Sequence, residues 1–482
     1  MAFPEFTDVC VAPFAAEAVS NLASIAEQTR EPAPPPVAQP RTDYWVKLTL
    51  FLIIGYLCAS RSFAYLGLPW FSLYIGEISL ASFLLFGPKT KQGRWLQIVR
   101  RVKRLQRFEC LLWLVLCYGF FEALHGIWSG YSPFAAARDT AFNYYPLFLF
   151  LGIWSGLREK DLLRRITRLL AWWNGCYGLA YVLFLSTLPW KMPGTANAAS
   201  DVPLFSEPTG SGIVLLGLLA FEPQLRRVWH LLAANAVVML WVEMRADWLG
   251  FAVGLLVFAW CTKRLKPVLT AGAILVTVLA AMYLTDIRLP SPRGRGGQIS
   301  VDALIARGAA PISKNLADQL APPEDVVGYT GTTKFRLVWW ASIWEAVHSN
   351  PVRALIGFGY GYPIGDLNPF IEPGTFIQTP HNDFFYALGY SGWLGVALFA
   401  LAQFELLRLL RLSYRITDQP FGLMCWAALL ANSMFGDFLE GPMGAIPFFL
   451  LVGVAVAPAL LQVRQRPLER APLLLSPAPQ TT

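Results

Sequence analysis

Residues 444–462 read Gly-Ala-Ile-Pro-Phe-Phe-Leu-Leu-Val-Gly-Val-Ala-Val-Ala-Pro-Ala-Leu-Leu-Gln, a stretch without one charged side chain. A helix of about 20 apolar residues crosses the roughly 30 Å hydrocarbon core of a bilayer. Eleven further apolar runs precede this stretch, at 45–60, 62–86, 109–128, 141–157, 169–189, 209–222, 228–244, 247–262, 267–285, 383–407 and 420–436. Because apolar residues are continuous in these runs, they predict helices and exclude a β-barrel. We therefore expect an all-α polytopic membrane protein with about 12 transmembrane helices.

The composition of the chain agrees with this fold class. Of the 482 residues, 55% are hydrophobic and only 15% are charged, whereas soluble domains carry about 25% charged residues. The chain also contains 18 Trp, 33 Phe and 17 Tyr, residues that suit a bilayer and its interfaces. This composition excludes a single-span receptor, a secreted domain and a soluble dinucleotide-binding enzyme.

The distribution of basic residues indicates the orientation of the chain in the membrane. The net charge is +8, but the Lys and Arg residues lie mainly in short loops, so nucleic acid is not an expected partner. Lys and Arg residues are frequent in the loops that follow even-numbered runs and in the C-terminal tail. Short loops on the other face hold only Arg61, Arg138, Lys191 and Arg245. By the positive-inside rule, we expect both termini in the cytoplasm.

The apolar runs divide the chain into five segments. We expect no cleavable signal in the Pro-rich beginning of the chain, which predicts disorder. The long connection between the ninth and tenth runs breaks the pattern of short loops, which is typical of a functional segment. In order, the segments are a disordered cytoplasmic arm (1–43), transmembrane helices 1–9 (44–285), an external loop with an amphipathic helix (286–382), transmembrane helices 10–12 (383–463) and a cytoplasmic tail (464–482).

The long external loop contains one segment with helical spacing. Within 335–347, the side chains of Trp340, Ile343, Trp344 and Val347 recur at intervals of three and four residues. Such a helix either lies flat at the membrane interface or packs on the helical bundle.

Metal-dependent chemistry is not expected. The seven cysteines form no Cys-x-x-Cys pair, and no Asp-x-Asp occurs anywhere in the chain. The sequence therefore predicts no disulfide framework, no metal site and no cofactor, and it offers no metal clamp for a nucleotide-sugar donor.

Two arginines are candidates for binding an anion on the outer face. Arg245 lies in Met244-Arg-Ala-Asp247, in a turn too short to leave the membrane surface, where a charge is costly unless it is partnered. It either serves function or simply reaches the headgroups or pairs with Asp247. Arg336 opens the aromatic segment of the loop, and either points toward the mouth of the bundle or lies on a solvated face.

His381 is the candidate base. It lies in Thr379-Pro-His-Asn-Asp383, where the long loop re-enters the membrane, and imidazole exchanges protons near neutral pH. Asn382 or Asp383 either orients the histidine or caps the helix that begins there. Acidic side chains in two outer loops are further accessory candidates: Asp201 and Glu207, and Asp437 and Glu440.

Two arginines and a histidine on one face fit a specific chemistry. Guanidinium groups bind phosphate through paired hydrogen bonds and keep their charge, so they hold a diphosphate leaving group without a metal. A nearby imidazole deprotonates an acceptor hydroxyl. Together these groups suit glycosyl transfer from a lipid-diphosphate donor at the outer leaflet.

The order of these motifs resembles the O-antigen ligase and polymerase superfamily of bacterial membrane proteins. The resemblance covers about 205–460 and rests on Arg245, then Arg336-Leu-Val-Trp-Trp-Ala-Ser-Ile-Trp-Glu-Ala, Asn350-Pro, Leu355-Ile-Gly-Phe-Gly-Tyr-Gly, Pro380-His-Asn-Asp-Phe-Phe and Gly389-Tyr-Ser-Gly-Trp-Leu-Gly395. It implies an enzyme of the inner membrane that transfers glycan from undecaprenyl diphosphate at the periplasmic face, with no metal or nucleotide. It also implies that the family's two essential arginines are Arg245 and Arg336, and that its histidine is His381.

What the resemblance implies about the acceptor leaves two activities open. In a polymerase the acceptor is another lipid-linked repeat unit, and in a ligase it is lipid A–core or a protein hydroxyl. The single histidine and the segment Phe205-Ser-Glu-Pro-Thr209 favour a polymerase of O-antigen or exopolysaccharide. The implied partners are the undecaprenyl-diphosphate-linked glycan, the acceptor, membrane lipid, and a chain-length regulator or flippase. The alternatives from other classes are a lipid-linked glycan transporter and an assembly scaffold, although related halves typical of transporters are not evident.

Overall fold

The computed structural model describes residues 43–68, 73–87, 103–193, 202–242, 244–286, 288–290, 298–309, 313, 315, 319, 323–371, 379–436 and 438–469. The expected disordered arm therefore lies outside the described residues except for Asp43. The same is true of Asp201, Asp437 and the part of the C-terminal tail after residue 469.

Helices dominate the part of the chain before the long loop. A short antiparallel hairpin of β1 (Gly67–Leu68) and β2 (Leu73–Tyr74) interrupts them once. The helices are α1 (Tyr44–Ala64), α2 (Ile75–Phe86), α3 (Lys103–Trp128), α4 (Pro133–Asp139), α5 (Ala141–Tyr144), α6 (Phe148–Arg158), α7 (Leu162–Leu183), α8 (Ser211–Phe221), α9 (Trp229–Val242), α10 (Arg245–Thr262) and α11 (Leu265–Leu284).

The long loop and the C-terminal part are also mainly helical. The loop contains a second antiparallel pair, β3 (Leu289–Pro290) with β4 (Gln298–Ile299), and a 3₁₀ turn at Ile364–Leu367. The helices are α12 (Val301–Ala309), α13 (Pro323–His348), α14 (Pro351–Ile356), α15 (Asp383–Thr417), α16 (Phe421–Ser433) and α17 (Pro442–Glu469).

Five helices in the described part of the chain are long and apolar enough to cross a membrane. They are Tyr44–Ala64, Gln106–Trp128, Arg245–Thr262, Asp383–Thr417 and Pro442–Leu460. This finding agrees with an all-α membrane protein, while the expected number of twelve spans stays a prediction. Four further apolar helices have 10–17 residues and are shorter than the roughly 20 residues that a straight span requires.

Two of the expected continuous runs are divided in the structure. Run 62–86 is interrupted by the β1–β2 hairpin, so that α2 contains only 12 residues. Run 141–157 is interrupted by a 3₁₀ turn at Tyr145–Leu147. Pro146 explains the second interruption, because proline has no N–H to donate within a helix.

Helix α17 lies at the centre of the bundle. Ile446, Phe448, Leu450 and Val452 are all fully buried, and the helix packs most extensively against α6. The stretch with the clearest transmembrane character is therefore covered mainly by neighbouring helices.

The aromatic segment of the long loop packs on the helical bundle. Trp339, Ile343 and Val347 on α13 are completely buried, in a cluster with Tyr386 and Tyr390 of α15. Of the expected face, Ile343 and Val347 are buried. Trp339 is buried in place of Trp340, and Trp344 is 43% exposed. Trp339 also donates a hydrogen bond from Nε1 to the carbonyl of Ile364, at 2.9 Å.

Helix α15 is kinked at Gly392, which has a φ of 59° and a ψ of −165°. The loop segment 357–361 lies against this kink. The N–H groups of Phe358 and Gly359 donate to the carbonyls of Gly389 and Tyr390, at 3.0 and 2.9 Å. The two glycine-rich motifs of the sequence are therefore in direct contact.

The kink gives a test of this packing. In Gly392→Ala, the new Cβ would overlap the backbone of Leu355 and Gly357 at a positive φ. We expect this variant to lose about 1–3 kcal/mol of unfolding free energy. The matched control is Gly272→Ala in α11, where a Cβ meets open space, and which should gain about 0.5–1 kcal/mol. Thermal unfolding in detergent measures both, and equal effects of the two substitutions would contradict the structure.

Candidate functional site

The turn between α16 and α17, residues 434–441, and the end of α16 contact the segments that carry Arg245, Arg336 and His381. Residue 437 of this α16–α17 turn lies outside the described part of the chain. Side chains from α10, α13 and the beginning of α15 form hydrogen bonds with the turn or with the last residues of α16. Three segments that are distant in sequence are thereby brought together.

Arg245 is the first residue of α10, and its side chain is half-buried. The beginning of this helix is attached to the end of α16, because Asn432 Nδ2 donates a hydrogen bond to Asp247 Oδ1. Asp247, considered above as a local partner of Arg245, thus also fixes the position of the helix that carries this arginine.

Arg336 lies on α13 and contacts the α16–α17 turn directly. Its NH1 group donates to the carbonyl oxygen of Phe435 at 2.7 Å. The side chain reaches across 99 positions of sequence to a second element.

His381 has an unusual backbone conformation. Its φ is 53°, in the left-handed region that non-glycine residues seldom adopt. The chain is fixed on its N-terminal side, because Trp340 Nε1 donates to the carbonyl of Pro380 at 2.7 Å. The Trp340 ring also stacks on Phe385 with a centroid distance of 5.3 Å. Such strained positions cluster at functional sites.

Asn382 has two structural roles next to His381. Its Oδ1 accepts hydrogen bonds from the N–H groups of Phe384 and Phe385, at 2.9 and 3.2 Å. Its Nδ2 donates to the carbonyl of Met434 at 2.9 Å. The expected N-cap is confirmed for Asn382, and the same side chain also binds the α16–α17 turn.

Asp383 is fully buried and binds the α16–α17 turn at Leu439. Its Oδ2 accepts a hydrogen bond from the backbone N–H of Leu439 at 3.2 Å. Asn382 and Asp383 together hold the backbone on both sides of residues 435–438, and so connect the histidine motif to the segment that Arg336 contacts.

The two acidic accessory candidates that the structure describes, Glu440 and Glu207, lie in different surroundings. Glu440 belongs to the α16–α17 turn, and both of its carboxylate oxygens are shielded from solvent. It is close enough to Tyr386 and Tyr390 to interact with them electrostatically. Glu207 follows Ser206, which contacts α1 and α7 through Ser62 and Tyr177. Of the two, Glu440 is the one placed with the histidine motif.

An apolar cavity lies beside the turn, between α3 and α15. It has an open volume of about 670 Å³ and reaches Ala387, one helical turn after Asp383, and Leu439. The other walls include Phe108, Phe142 and Phe399. Polar atoms of the site therefore adjoin an apolar groove within the helical bundle.

The structure adds an ion pair that the sequence analysis did not single out. Arg138 Nε and NH2 donate to Asp139 Oδ1 at 3.0 and 2.7 Å, and the N–H of Gly361 donates to Oδ2 at 3.1 Å. Tyr386 also donates to the backbone carbonyl of Asp139 at 3.3 Å. Burial raises the pKa of the Asp139 carboxyl, and the charge of Arg138 offsets part of this rise.

The only signal of this pair in the sequence was Arg138 itself, as one of few cations in the outer loops. The adjacent Asp139 reaches Gly361, 222 positions away in sequence. Since the pair connects α4, the glycine-rich segment and α15, it supports the element that begins at the histidine motif.

The dual role of Asn382 predicts a graded series of variants. Asn382→Ser keeps a cap acceptor but loses the bond to Met434, whereas Asn382→Ala loses both. We expect stability in the order wild type, Ser, Ala, with the Ala variant about 0.5–2 kcal/mol below the Ser variant because of the lost cap. Thermal unfolding in detergent measures the series, and equal stability of the two variants would contradict a capping role.

The Arg138–Asp139 pair predicts a rescue. Arg138→Ala leaves a buried carboxylate without its cationic partner, which should cost about 1–3 kcal/mol. The double variant Arg138→Ala with Asp139→Asn removes the charge and should recover most of this loss. Because burial raises the pKa of Asp139, protonation at acidic pH should reduce the defect of the single variant. Thermal unfolding between pH 4 and 8 tests this, and a defect that grows as pH falls would contradict it.

One comparison with known proteins bears on this site. Residues 230–400 match the model of a family described as O-antigen ligase. This range includes Arg245, Arg336 and the histidine motif, and it ends within α15 just after the kink. No curated protein matches the chain. The segment that carries the predicted arginines and histidine is thus similar to the O-antigen ligase family, and the resemblance to the O-antigen ligase and polymerase superfamily is confirmed.

Proposed function

We propose that the protein transfers glycan from an undecaprenyl-diphosphate-linked donor to an acceptor hydroxyl at the periplasmic face of the inner membrane. One observation carries this proposal. The helix of Arg245, the side chain of Arg336 and the two residues after His381 all attach to residues 432–439. Groups suited to bind a diphosphate and a group suited to accept a proton therefore belong to one assembly.

The proposed reaction is an inverting displacement. The acceptor oxygen attacks the anomeric carbon of the donor sugar, and the bond from that carbon to the diphosphate oxygen breaks. The hydroxyl proton passes to the His381 imidazole, and undecaprenyl diphosphate leaves with the electron pair of the broken bond. Arg245 and Arg336 would stabilise the negative charge that develops on the leaving diphosphate.

The neighbouring residues would position these groups. Asn382 and Asp383 hold the backbone of the histidine motif through Met434 and Leu439, so we assign them positioning roles. Glu440 is the better placed of the two acidic candidates to influence the acceptor, and Glu207 stays a weaker one. The apolar walls between α3 and α15, which are mainly aromatic and aliphatic, would contact the hydrocarbon part of a lipid-linked donor.

Two acceptors remain compatible with this proposal. A polymerase is favoured by the single histidine of the motif and by the segment Phe205-Ser-Glu-Pro-Thr209. A ligase is favoured by the description of the matching family. We propose the polymerase activity first, with transfer to lipid A–core or protein as the second candidate.

Complementation of a deletion strain tests both the chemistry and the acceptor. His381→Ala should lower surface glycan at least about 100-fold, the usual contribution of a general base. The matched control is His230→Ala, an exposed histidine at the beginning of α9, which should restore wild-type glycan. Arg336→Lys keeps a charge but loses the forked donor geometry, and it should also be strongly impaired. Immunoblots of membranes must show equal amounts of each variant.

The glycan pattern of the deletion strain distinguishes the activities. Single repeats on lipid A–core indicate a lost polymerase, and long chains that stay on undecaprenyl indicate a lost ligase. Lipid-linked repeats confined to the cytoplasmic leaflet would indicate a transporter and would contradict the proposal. Full restoration by His381→Ala would equally contradict the proposed role of this histidine.

A further inference from the structure

A second cavity lies at the opposite end of the helices that carry the candidate site. It has an open volume of about 760 Å³ and lies where α15 ends and α16 begins, beside the beginning of α7 and the end of α8. The candidate site lies where α15 begins and α16 ends. Because α15 contains 35 residues, its two ends lie up to roughly 50 Å apart despite the kink at Gly392. The predicted topology puts these ends on opposite sides of the membrane.

The walls of this cavity carry an excess of positive charge. Lys160 and Arg164 line it, while Asp161 is its only acidic wall residue. Arg164 forms an ion pair with Glu222, and its Nε lies 3.6 Å from Oε1, which is longer than a hydrogen bond. The Glu222 carboxylate binds mainly Arg168, which donates from Nε and NH2 at 2.7 and 3.2 Å.

The Arg164 guanidinium is 43% exposed, and it keeps hydrogen-bond donors that its ion pair with Glu222 does not use. Its Nε is shielded from solvent and has no hydrogen-bond partner among the described residues. A buried donor without an acceptor is costly, so such groups are often completed by a ligand or by water. The cavity that Arg164 lines is large enough to hold such a ligand.

The helix ends at the cavity reinforce this charge. Helices α7 and α16, of 22 and 13 residues, both begin at its wall. Their N-cap residues, Asp161 and Pro420, form no side-chain cap hydrogen bond. The N–H groups at a helix beginning favour an anion. These two helix ends add to the electrostatic attraction that Lys160 and Arg164 exert on an anion.

The remaining walls distinguish this cavity from a simple basic surface. Phe221, Leu410, Phe421 and Pro458 form an apolar side. Ser413 donates its hydroxyl to the carbonyl of Ala455 at 2.6 Å, and Thr417 donates to Ser413 at 2.8 Å. Both hydroxyls thus already donate to backbone carbonyls. The cationic side chains are therefore the groups that would determine which ligand binds.

We propose that this cavity binds the phosphate group of a phosphate ester that approaches from the side opposite to the candidate site. Lys160 and Arg164 would contact the phosphate oxygens, and the apolar side would contact the organic part. The ester comes either from the headgroup of an anionic lipid or from a soluble molecule. This inference does not depend on the proposed glycosyl transfer. If the predicted topology is correct, the cavity opens to the cytoplasm.

Ligand-dependent stability of the full chain in detergent tests the proposal. The probes are inorganic phosphate and glycerol 3-phosphate at constant ionic strength, and phosphatidylglycerol against phosphatidylcholine in mixed micelles. The test variant is Lys160→Gln with Arg164→Gln. The matched control is Arg165→Gln, one position further along α7, where the side chain is ion-paired with Glu159 and does not line the cavity.

We expect at least one phosphate-bearing probe to raise the Tm of wild type and of Arg165→Gln in a saturable way. The double variant should require at least about ten-fold more of that probe, a loss of about 1.4 kcal/mol in binding. A response to the soluble probes indicates a soluble ester, and a response to phosphatidylglycerol alone indicates a lipid headgroup. If the double variant does not fold, Lys160→Gln alone, at an exposed position, should still weaken binding. No response in wild type, or equal responses of the test and control variants, would overturn the proposal.

Discussion

The hydrogen bonds that hold the α16–α17 turn are the constraint on which the candidate site depends. A turn between two helices of a bundle exposes backbone groups that regular structure does not pair, and apolar surroundings make unpaired groups costly. Here the groups of Met434, Phe435 and Leu439 bond to Asn382, Arg336 and Asp383. The side chains that satisfy the turn therefore come from the segments that carry Arg336 and the histidine motif.

Sequence-based prediction was most accurate for features that involve residues close together in one segment. Helical spacing within α13 correctly predicted the burial of Ile343 and Val347, whereas Trp344 of the same expected face is 43% exposed. The helix cap at Asn382 was likewise one of two expected alternatives, since a cap involves residues only two or three positions apart. The family resemblance was also evident from the order of the motifs, and the match to residues 230–400 agrees with it.

The sequence could not reveal the contacts between distant segments. Asp383 reaches Leu439 across 56 positions, and Asp139 reaches Gly361 across 222. No periodicity or local propensity records such pairs, because they arise from the packing of whole helices. The interruptions of runs 62–86 and 141–157 have a different reason. Hydropathy averaged over a run conceals a short hairpin or a 3₁₀ turn, although Pro146 was visible within the second run.

The kink in α15 explains why two glycine-rich motifs accompany the histidine motif. In a continuous helix, the carbonyls of Gly389 and Tyr390 would accept from residues four positions later. The left-handed conformation at Gly392 interrupts this pattern, and the N–H groups of Phe358 and Gly359 bond to these carbonyls instead. A kink within a bundle persists only if neighbouring groups satisfy the freed backbone. The loop segment therefore fixes the direction of the first turns of α15, a helix that begins two residues after His381.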